Sequence, residues 1–508
     1  MIVNVIEYLR NTIETYPDRT AVIEGERRIS FAELDDRCRR LASCLYRKDR
    51  TLVNRPVAVY LPKNIECVVS DIGILYSGNA YMNLDVKAPE HRIQNTLEQI
   101  RPACIITDRK HGRDVPQGHG TILYLEDLEA EAPEPEDPKT LMQRLSHLID
   151  TDPLCIINTS GSTGIPKGVI LNHRSFIDFT EWAVETLQIG EAETVGSLSP
   201  AVFDIYSFEL CMLMARGSTI LLLPEAMSAF PAKLLQEMKA NGVSFIFWVP
   251  TIMVNIANMD LLSRIHLPDL RTVWFAGEVF PTKSFNYWKR HLRETTFVNL
   301  YGPIEITLDC TYYIVDGELP EEEPIPIGFP CRNTDILLLK EDDTPAAPGE
   351  EGEICVRGTS LAMGYYRNSE KTAAAFVQNP LNHSYPELIY RTGDMAYLNE
   401  AGAYVFKGRR DTLIKHMGYR IELSELEHIA GYALEEIENC CVLYDAGAKE
   451  IILVYEAGEE MEPARLRKSL ARHCPKYMLP VTYIRLAKLP VNTNGKVDRL
   501  KTREIIGR

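Results

Sequence analysis

Short apolar runs alternate with segments of helical spacing over much of this chain, and the alternation limits the folds open to it. The apolar run 57–61 is followed by residues 64–76, where apolar positions recur at helical spacing. Two later apolar runs, 245–249 and 272–276, are each stopped by a proline or a glycine. Strands that alternate with helices predict a largely parallel, doubly wound sheet. Ligands bind at the strand ends of such sheets.

The pattern changes to strands and turns from about Pro324. A separate small body follows Gly408, with its own helices and a strand. The strands of the β-rich part are predicted over 335–339, 352–357 and 404–407, and the small body has predicted helices over 422–432 and 462–473 and a strand over 451–455. The expected fold class is α/β: a large N-terminal domain of parallel-rich sheets layered with helices, a β-rich subdomain, and a small α+β C-terminal domain.

Two local predictions concern the middle of the chain. Residues 126–139 are rich in Glu, Pro and Asp, which predicts a solvated connector and makes a functional acidic patch the weaker alternative. Helical spacing predicts a helix over 208–216, after a strand over 195–198.

A stretch rich in glycine and hydroxyl residues, 158–169, follows the apolar run 154–157. Glycine lets a backbone approach a ligand closely, successive free N–H groups form an anion-binding concavity, and lysine adds charge. The stretch is not a Walker A loop, because Pro166 lies five residues after Gly161 and a glycine follows Lys167. It predicts phosphate binding, and a flexible surface turn is the alternative.

Composition excludes several classes of partner. The chain has 508 residues and a net charge of -16 without a basic block, which argues against nucleic acid and anionic membranes. No segment has the pattern of a secretion signal or a membrane span, so no membrane insertion is expected. The 12 cysteines contain no Cys-x-x-Cys pair, so neither a zinc site nor a disulfide framework is indicated. A reducing cytoplasm is the expected location.

Several ordered motifs match one family. They are Leu75–Asp85, the glycine-rich stretch, Phe203-Asp204, Asn299–Glu305, Tyr390–Asp394, Gly408–Asp411, Lys415, Gly418–Leu423 and Asn494–Arg499. Along nearly its whole length the chain resembles the adenylation domains of nonribosomal peptide synthetases and their relatives in the acyl/aryl-CoA ligase and luciferase superfamily. The resemblance implies that a carboxylate attacks the α-phosphorus of ATP, that pyrophosphate leaves, and that a thiol then attacks the acyl adenylate.

The resemblance also implies the ATP site. Glu305 would bind Mg²⁺, since this hard cation takes carboxylate and phosphate oxygens together. Asp394 would accept both ribose hydroxyls, and Lys496 would bridge the substrate carboxylate and the α-phosphate region. Taken alone, Glu305 could equally be a helix-capping carboxylate, Asp394 would more often be a turn residue, and a loop lysine such as Lys496 is usually just solvated. The implied nucleotide-binding residues are Thr159, Ser160, Gly161, Ser162, Thr163, Gly164, Lys167, Asn299, Tyr301, Gly302, Asp394 and Arg409, and the implied catalytic residues are Lys496, Thr159, Lys167 and Glu305.

The family's two half-reactions imply a mobile C-terminal domain, because one hinged domain can present two loops to the same intermediate. The expected boundaries are 1–408 for the core, 409–411 for the hinge and 412–508 for the domain that carries Lys496. Asp411 is the hinge position. His416-Met417 departs from the Ile-Arg that the family commonly shows before Gly418.

The substrate class depends on Asp204, which matches the carboxylate that pairs with the α-ammonium of amino-acid substrates. An unpaired buried Asp is costly, so its presence favours an amine; a helix N-cap is the alternative. The other aligned pocket positions are Phe203, Ile205, Phe208, Trp248, Trp274, Ala276, Leu300, Leu308 and Asp309. Their bulk predicts a small amino acid, with alanine or serine before glycine or proline. Asp309 would favour serine if it faces the pocket and alanine if it turns outward. Simple core packing of the aromatic residues stays open.

No carrier-protein site follows Arg499 and no condensation-like region precedes Met1, so we expect a stand-alone enzyme that loads a separate phosphopantetheine carrier. D-alanine–carrier protein ligases are a similar case. An aryl- or acyl-CoA ligase is the alternative within the superfamily. A noncatalytic nucleotide-binding scaffold would be expected to lack Lys496, Glu305 or Asp394, and all of them are present.

Overall fold

The computed structural model describes residues 2–130, 138–159, 166–191, 193–409, 413–434, 436–437, 439–490 and 497–508. Two compact units are present. The large unit comprises Met1–Val86, Ile100–Ile157 and Gly168–Arg410, and the small unit comprises Lys87–Gln99, Asn158–Lys167 and Asp411–Arg508. Among the described residues, no helix is both long enough and apolar enough to cross a bilayer.

The α-helices, in chain order, are α1 Val5–Thr15, α2 Phe31–Lys48, α3 Ile65–Tyr76, α4 Glu90–Ile100, α5 Leu125–Ala130, α6 Pro138–Leu145, α7 His173–Thr186, α8 Asp204–Arg216, α9 Pro231–Ala240, α10 Pro250–Asn258, α11 Thr282–His291, α12 Ser369–Ala375, α13 Leu423–Ala433, α14 Pro463–Leu470 and α15 Arg499–Ile506.

The strands are β1 Thr20–Glu24, β2 Arg27–Ser30, β3 Pro56–Tyr60, β4 Ala80–Asn83, β5 Cys104–Thr107, β6 Thr121–Tyr124, β7 Pro153–Thr159, β8 Lys167–Asn172, β9 Thr194–Ser197, β10 Thr219–Leu222, β11 Phe245–Trp248, β12 Thr272–Phe275, β13 Thr296–Tyr301, β14 Thr311–Val315, β15 Phe329–Pro330, β16 Thr334–Leu339, β17 Gly352–Gly358, β18 Gly364–Tyr365, β19 Phe376–Gln378, β20 Leu388–Leu398, β21 Tyr404–Arg409, β22 Leu413–His416, β23 Tyr419–Glu422, β24 Asn439–Asp445, β25 Glu450–Glu456 and β26 Thr482–Leu486.

Two large sheets carry the core. The first sheet has nine strands in the order β15-β14-β13-β12-β11-β9-β10-β1-β2. Its central pairs are parallel, and β2, β14 and β15 at its two ends pair antiparallel. The second sheet has seven strands in the order β18-β8-β7-β4-β3-β5-β6, with β4, β3, β5 and β6 parallel. These parallel-rich sheets confirm the α/β prediction.

The β-rich part is a separate antiparallel sheet, with the path β16-β17-β20-β19 and with β21 paired to β20. It brings Asp394 on β20 opposite Arg409 on β21 in the strand register. The backbone of this sheet therefore carries two of the predicted nucleotide-binding positions side by side.

Helices form where capping and apolar spacing agree. Ser30 and Glu33 make a reciprocal capping box at the start of α2, and Asn64 caps α3 by accepting from the Cys67 N–H. Helix α2 then packs on α3, and α1 packs on α8. A hydrophobic cluster joins these helices to both large sheets, with Phe31, Leu41, Ile72, Phe208 and Trp274 among its buried members.

Two local predictions are wrong in part. The predicted connector is helical at both ends, because α5 buries Leu125 and Leu128 in the core and α6 buries Leu141 and Leu145. Residues 131–137 lie outside the described part of the chain. The helix predicted over 208–216 begins at Asp204, since the segment before Phe208 is also buried and continues the helical turn.

The small unit has a three-stranded sheet of β24, β25 and β26 and a hairpin of β22 and β23. Its hydrophobic cluster includes Leu426, Val442 and Leu453. Helix α4 belongs to the same unit, and there the Arg92 guanidinium donates to Glu425 Oε1 at 2.6 Å. The Glu425 side chain is 1% exposed, so this ion pair is buried.

Candidate active site

Asp204 is the first residue of helix α8, and Phe203 is the residue that precedes the helix. Phe203 has extended backbone angles and its side chain makes no capping bond. The Ile205 N–H donates to Asp204 Oδ1 at 3.0 Å, and the Asp204 side chain is only partly buried. A carboxylate in a first turn interacts favourably with the helix dipole, and a partly buried one can also face a ligand.

Phe208 lies one turn beyond Asp204 on α8, and Trp274 lies on strand β12 of the first sheet. Phe208 on α8 stacks on Trp274 of β12, with ring centroids 5.3 Å apart and an interplanar angle of 16°. Phe247 packs edge-on against the same indole. The predicted pocket residues Ile205, Ala276, Leu300 and Leu308 are buried in the same hydrophobic cluster. The structure therefore brings most of the apolar pocket positions into one cluster.

Trp248 is not part of that cluster. Side chains alternate along β11, so that Phe245 and Phe247 belong to one hydrophobic cluster while Ile246 and Trp248 belong to another. The Trp248 indole N–H donates to the Gly196 carbonyl at 2.8 Å. Of the two predicted pocket tryptophans, Trp274 is the one that contacts Phe208.

Gly302 sits beneath a tight loop that carries Glu305 and Asp309. A Cβ at this position would lie 2.3 Å from the Leu308 carbonyl oxygen and 2.5 Å from Asp309 Cα. Thr307 and Leu308 both have positive φ, at 53° and 65°, which is strained for residues with side chains. The fold thus stores strain in the loop where Glu305 and Asp309 are both buried.

Glu305 is fully buried and accepts a hydrogen bond from the Tyr365 hydroxyl at 2.8 Å. Tyr365 lies on β18, where it pairs with Val169 of β8, the strand that follows the glycine-rich stretch. The backbone carbonyl of Glu305 accepts from the Ala362 N–H at 2.9 Å. Glu305 is thereby held by the edge strand of the second sheet. The sequence motifs did not include Tyr365, because nothing local marks it as the partner of a residue so distant in sequence.

Asp394 is also buried, and its Oδ2 accepts from the Tyr301 hydroxyl at 2.5 Å. Burial, followed by the nearby Asp394 charge, raises the pKa of Tyr301 well above its ordinary value, so this hydroxyl keeps its proton. The Asp394 N–H donates to Thr392 Oγ1, which donates in turn to the Ile354 carbonyl. Two predicted nucleotide-binding residues, Tyr301 and Asp394, are therefore in direct contact.

Only some of the remaining predicted residues lie in the described part of the chain. Asn299 donates to the Pro326 carbonyl at 2.8 Å, Thr159 ends β7, and Lys167 begins β8. The side chain of Arg409 is not described. Ser160, Gly161, Ser162, Thr163, Gly164, Asp411 and Lys496 lie outside the described residues.

The departure at His416-Met417 lies at the turn between β22 and β23. The His416 ring lies 5.6 Å from the Tyr444 ring, and Met417 has a positive φ and a side chain exposed to 51%. The structure gives no reason for the loss of the basic group that the family carries here.

Within the described ranges, no group of three or more His, Cys, Asp and Glu side chains is placed to hold a metal ion. Mg²⁺ is commonly bound by one or two carboxylates together with substrate phosphates. The buried Glu305 carboxylate fits such a shared site.

Comparison with known proteins identifies the class. The model of a family described as AMP-binding enzyme matches residues 9–366. The chain is 30% identical to zwittermicin A synthase ZmaJ from Bacillus cereus, over 95% of this chain and 91% of that protein. It is also 30% identical to tyrocidine synthase 1 from Brevibacillus parabrevis, over 96% of this chain but only 43% of that protein. The chain thus spans less than half the length of tyrocidine synthase 1.

Solved structures show the same fold. NpsA-ThdA from Klebsiella oxytoca, an artificially fused adenylation–PCP di-domain protein, superposes with a TM-score of 0.82 at 22% identity, over 100% of this chain and 96% of that one. Fold, motifs and relatives define an adenylate-forming ligase of the nonribosomal peptide synthetase type. The chain belongs to the AMP-binding enzyme family, whose members use ATP.

Proposed function

We propose that this enzyme activates a small α-amino acid as aminoacyl-AMP, releases pyrophosphate, and transfers the aminoacyl group to the phosphopantetheine thiol of a separate carrier protein. Asp204 carries this proposal. Asp204 is partly buried in the first turn of α8, one turn before Phe208, which stacks on Trp274. A carboxylate at this position can pair with the ammonium of an amino-acid substrate, a group that acyl and aryl acids lack.

The apolar cluster supports a small side chain. Phe208 and Trp274 are completely buried and stacked on one another, and Leu300 and Leu308 are almost completely buried. Such packing leaves little room, which favours alanine or serine, then glycine or proline. Asp309 is buried near Leu308 and favours serine if its carboxylate reaches the bound side chain, because a hydroxyl can donate to it.

The nucleotide roles follow the same residues. Asp394, with Tyr301 donating to one oxygen, can accept ribose hydroxyls with its remaining acceptor capacity. The glycine-rich stretch would hold the leaving pyrophosphate, and Lys496 would neutralise charge between the substrate carboxylate and the α-phosphate. Glu305 would hold Mg²⁺, which when bound supplies positive charge beside the phosphate oxygens. The hinge at Asp411 would let 412–508 serve both half-reactions.

The proposal that a carrier protein is the acceptor is supported by a structural neighbour that contains one. NpsA-ThdA joins an adenylation domain to a PCP domain by artificial fusion. For the present chain we propose a separate carrier, with CoA as the competing acceptor. We also propose a reducing cytoplasm, in keeping with twelve free cysteines that are all buried apart from the half-buried Cys440.

The first experiment is a screen of ATP–pyrophosphate exchange over the proteinogenic amino acids and D-alanine, with acetate and benzoate as acids that lack an amine. Exchange should be strongest with alanine or serine. Strongest exchange with a bulky aromatic acid would contradict the small pocket. Asp204→Ala should abolish amino-acid-dependent exchange, and Asp269→Ala, which removes an exposed carboxylate from the same unit, should leave it unchanged.

The second experiment separates the acceptors. The enzyme is supplied with its best substrate, ATP and Mg²⁺, and offered either a phosphopantetheinylated carrier protein or CoA. Aminoacyl thioester should accumulate on the carrier, detected as a mass increase of the intact protein. Thioester on CoA with none on any carrier would favour the CoA-ligase alternative.

A further inference from the structure

The segment between β9 and Asp204 is held by side chains from the second sheet. Lys63, just after β3, donates from Nζ to the carbonyl oxygens of Ser197 and Ser199, each at 2.8 Å. Asn83, the last residue of β4, donates from Nδ2 to the carbonyl of Ala201 at 3.1 Å. The carbonyls of residues 197, 199 and 201 are therefore bound by Lys63, from the loop after β3, and by Asn83 of β4.

Asn83 is fixed by a buried carboxylate. Its Nδ2 also donates to Asp71 Oδ2 at 3.0 Å, and the Tyr206 hydroxyl donates to the same oxygen at 2.9 Å. Asp71 lies on α3 and is 0% exposed, and Tyr206 lies two residues beyond Asp204 on α8. Asp71 thus links the two sides of Asp204: through Asn83 to Ala201 before it, and through Tyr206 to the helix after it.

A parallel arrangement exists around Lys63. The Ser197 hydroxyl donates to Glu209 Oε2 at 2.5 Å, and Lys63 Nζ lies 3.3 Å from the same hydroxyl. Glu209 is buried on α8, about one turn and a half beyond Asp204. The Tyr81 hydroxyl of β4 donates to Ser207 Oγ at 2.7 Å, again between the second sheet and α8. Every one of these contacts lies within the large unit.

We propose that Asn83 and Asp71 are positioning residues for the acid substrate: through Ala201 and Tyr206 they fix the backbone of 201–206 and so the direction in which the Asp204 carboxylate points. The proposal rests on the proposed role of Asp204 in binding the substrate. Neither Asn83 nor Asp71 needs to touch the substrate. Their contribution comes from buried hydrogen bonds whose loss would leave buried polar groups unsatisfied, so the segment has one strongly preferred conformation.

We call the hydrogen bonds of Asn83 to Ala201 and of Asp71 to Asn83 and Tyr206 the tether. The tether is separate from the residues proposed to bind the nucleotide. Tyr301, Asp394 and Glu305 are held by β13, β18 and β20, and none of their hydrogen bonds given above involves α3 or β4. Loss of the tether should therefore weaken binding of the acid and spare that of ATP. A residue that acted only on overall stability would not produce that division.

The test compares four variants in ATP–pyrophosphate exchange. Asn83→Ala removes the donor to Ala201, and Asp71→Leu removes the acceptor for Asn83 and Tyr206. Asp71→Asn keeps an amide oxygen that can accept from both, and Ser70→Ala is the matched control, since the Ser70 hydroxyl donates one turn back, to the Glu66 carbonyl of its own helix. The KM is measured for ATP and for the acid that drives exchange best in the unmodified protein.

Asn83→Ala and Asp71→Leu should raise the KM for the acid about tenfold or more and leave the KM for ATP within about twofold, the tenfold change corresponding to one lost hydrogen bond. Asp71→Asn should stay within about threefold of the unmodified protein, and Ser70→Ala should match it. Equal effects on both KM values, or none on the acid, would overturn the proposal.

Hydrogen–deuterium exchange without substrate gives a second, independent reading. Asn83→Ala should speed exchange in peptides that cover 197–206 and not in those that cover 390–398. Unchanged exchange in 197–206 would overturn the tether whatever the substrate is. The proposed amino-acid function fails separately, if acetate or benzoate but no amino acid drives exchange in the unmodified protein; the KM comparison is then made with that acid.

Discussion

Tyr301 and Asp394 join the first sheet to the β-rich sheet through a hydrogen bond of 2.5 Å between the phenol and a carboxylate oxygen. Tyr301 ends β13 and Asp394 lies within β20, so the contact connects two sheets that have no strand in common among those described. It holds Oδ2 of Asp394 against the Tyr301 hydroxyl and so limits the orientation of the carboxylate. The proposed nucleotide-binding role of Asp394 depends on this bond for its alignment.

Tyr301→Phe tests that dependence. Loss of the hydroxyl removes one buried hydrogen bond to a charged group, so the KM for ATP should rise by about tenfold while the KM for the acid changes little. Tyr313→Phe on the neighbouring strand is the control and should match the unmodified protein. A larger effect on the acid than on ATP would contradict the assigned place of Asp394.

Gly302→Ala tests the strained loop. The added Cβ would meet the Leu308 carbonyl and the Asp309 backbone, and backbone atoms cannot give way as a flexible side chain can. The loop that carries Glu305 must then shift, and exchange activity should fall by about a hundredfold or more. Gly317→Ala is a matched control because a Cβ there meets nothing within 4 Å. Activity of Gly302→Ala near that of the control would show that the loop is not constrained.

Tyr365→Phe tests the support of Glu305. Without the phenol, Glu305 loses the donor that fixes its Oε1, so more Mg²⁺ should be required for half-maximal exchange, by about threefold to tenfold. The measurement is a Mg²⁺ titration at saturating ATP, and chelation with EDTA should stop exchange in both proteins. An unchanged Mg²⁺ requirement would argue against Glu305 as the metal ligand.

Asp71→Asn should change stability in a pH-dependent way. Burial raises the pKa of Asp71 from 3.8 to about 7, although hydrogen bonds from Asn83, Tyr206 and Cys67 favour its charged form. The folded state therefore binds a proton that the unfolded state has released, and the stability this gives is full below about pH 4 and is lost as the pH rises to about 7.

Asparagine has no such proton to lose. The free energy of unfolding of Asp71→Asn should gain on that of the unmodified protein between about pH 4 and 7, by at most about 1.4 kcal/mol per pH unit, and should run parallel above about pH 7. Urea unfolding at several pH values measures this difference. A constant difference over the whole range would mean that Asp71 does not titrate there.

Much of the fold follows from local pattern. The spacing of apolar residues over 64–76 predicted α3, and the apolar run 57–61 predicted β3, since the strand is continuously buried and the helix begins at a capping residue. The prediction of a solvated connector over 126–139 is wrong in part, because Leu128 within it and Leu125 just before it are buried although the residues around them are acidic. Composition describes solvent exposure on average, whereas one buried pair is enough to fold a short helix onto the core.

Candidate site residues could be named where a motif lies within a few residues of sequence. Asp204, Glu305 and Asp394 were named in this way, and their roles stay predictions. Tyr365 and Asp71 lie outside the motifs, and Asn83 lies within one but was given no role, because their partners are 60, 135 and 118 residues away. The position of Trp248 also required the structure, since only the register of β11 shows which hydrophobic cluster receives each side chain.

The small unit draws on three separate stretches of chain, and Arg92 and Glu425 belong to two of them. A gene cut after residue 410 would therefore not yield two self-sufficient halves. The N-terminal product would carry Arg92 without the carboxylate that balances it, and the C-terminal product would lack α4 altogether. Coexpression of the two fragments, with reassembly by complementation, is the appropriate way to separate them, because helix α4 then has its partner available as it folds.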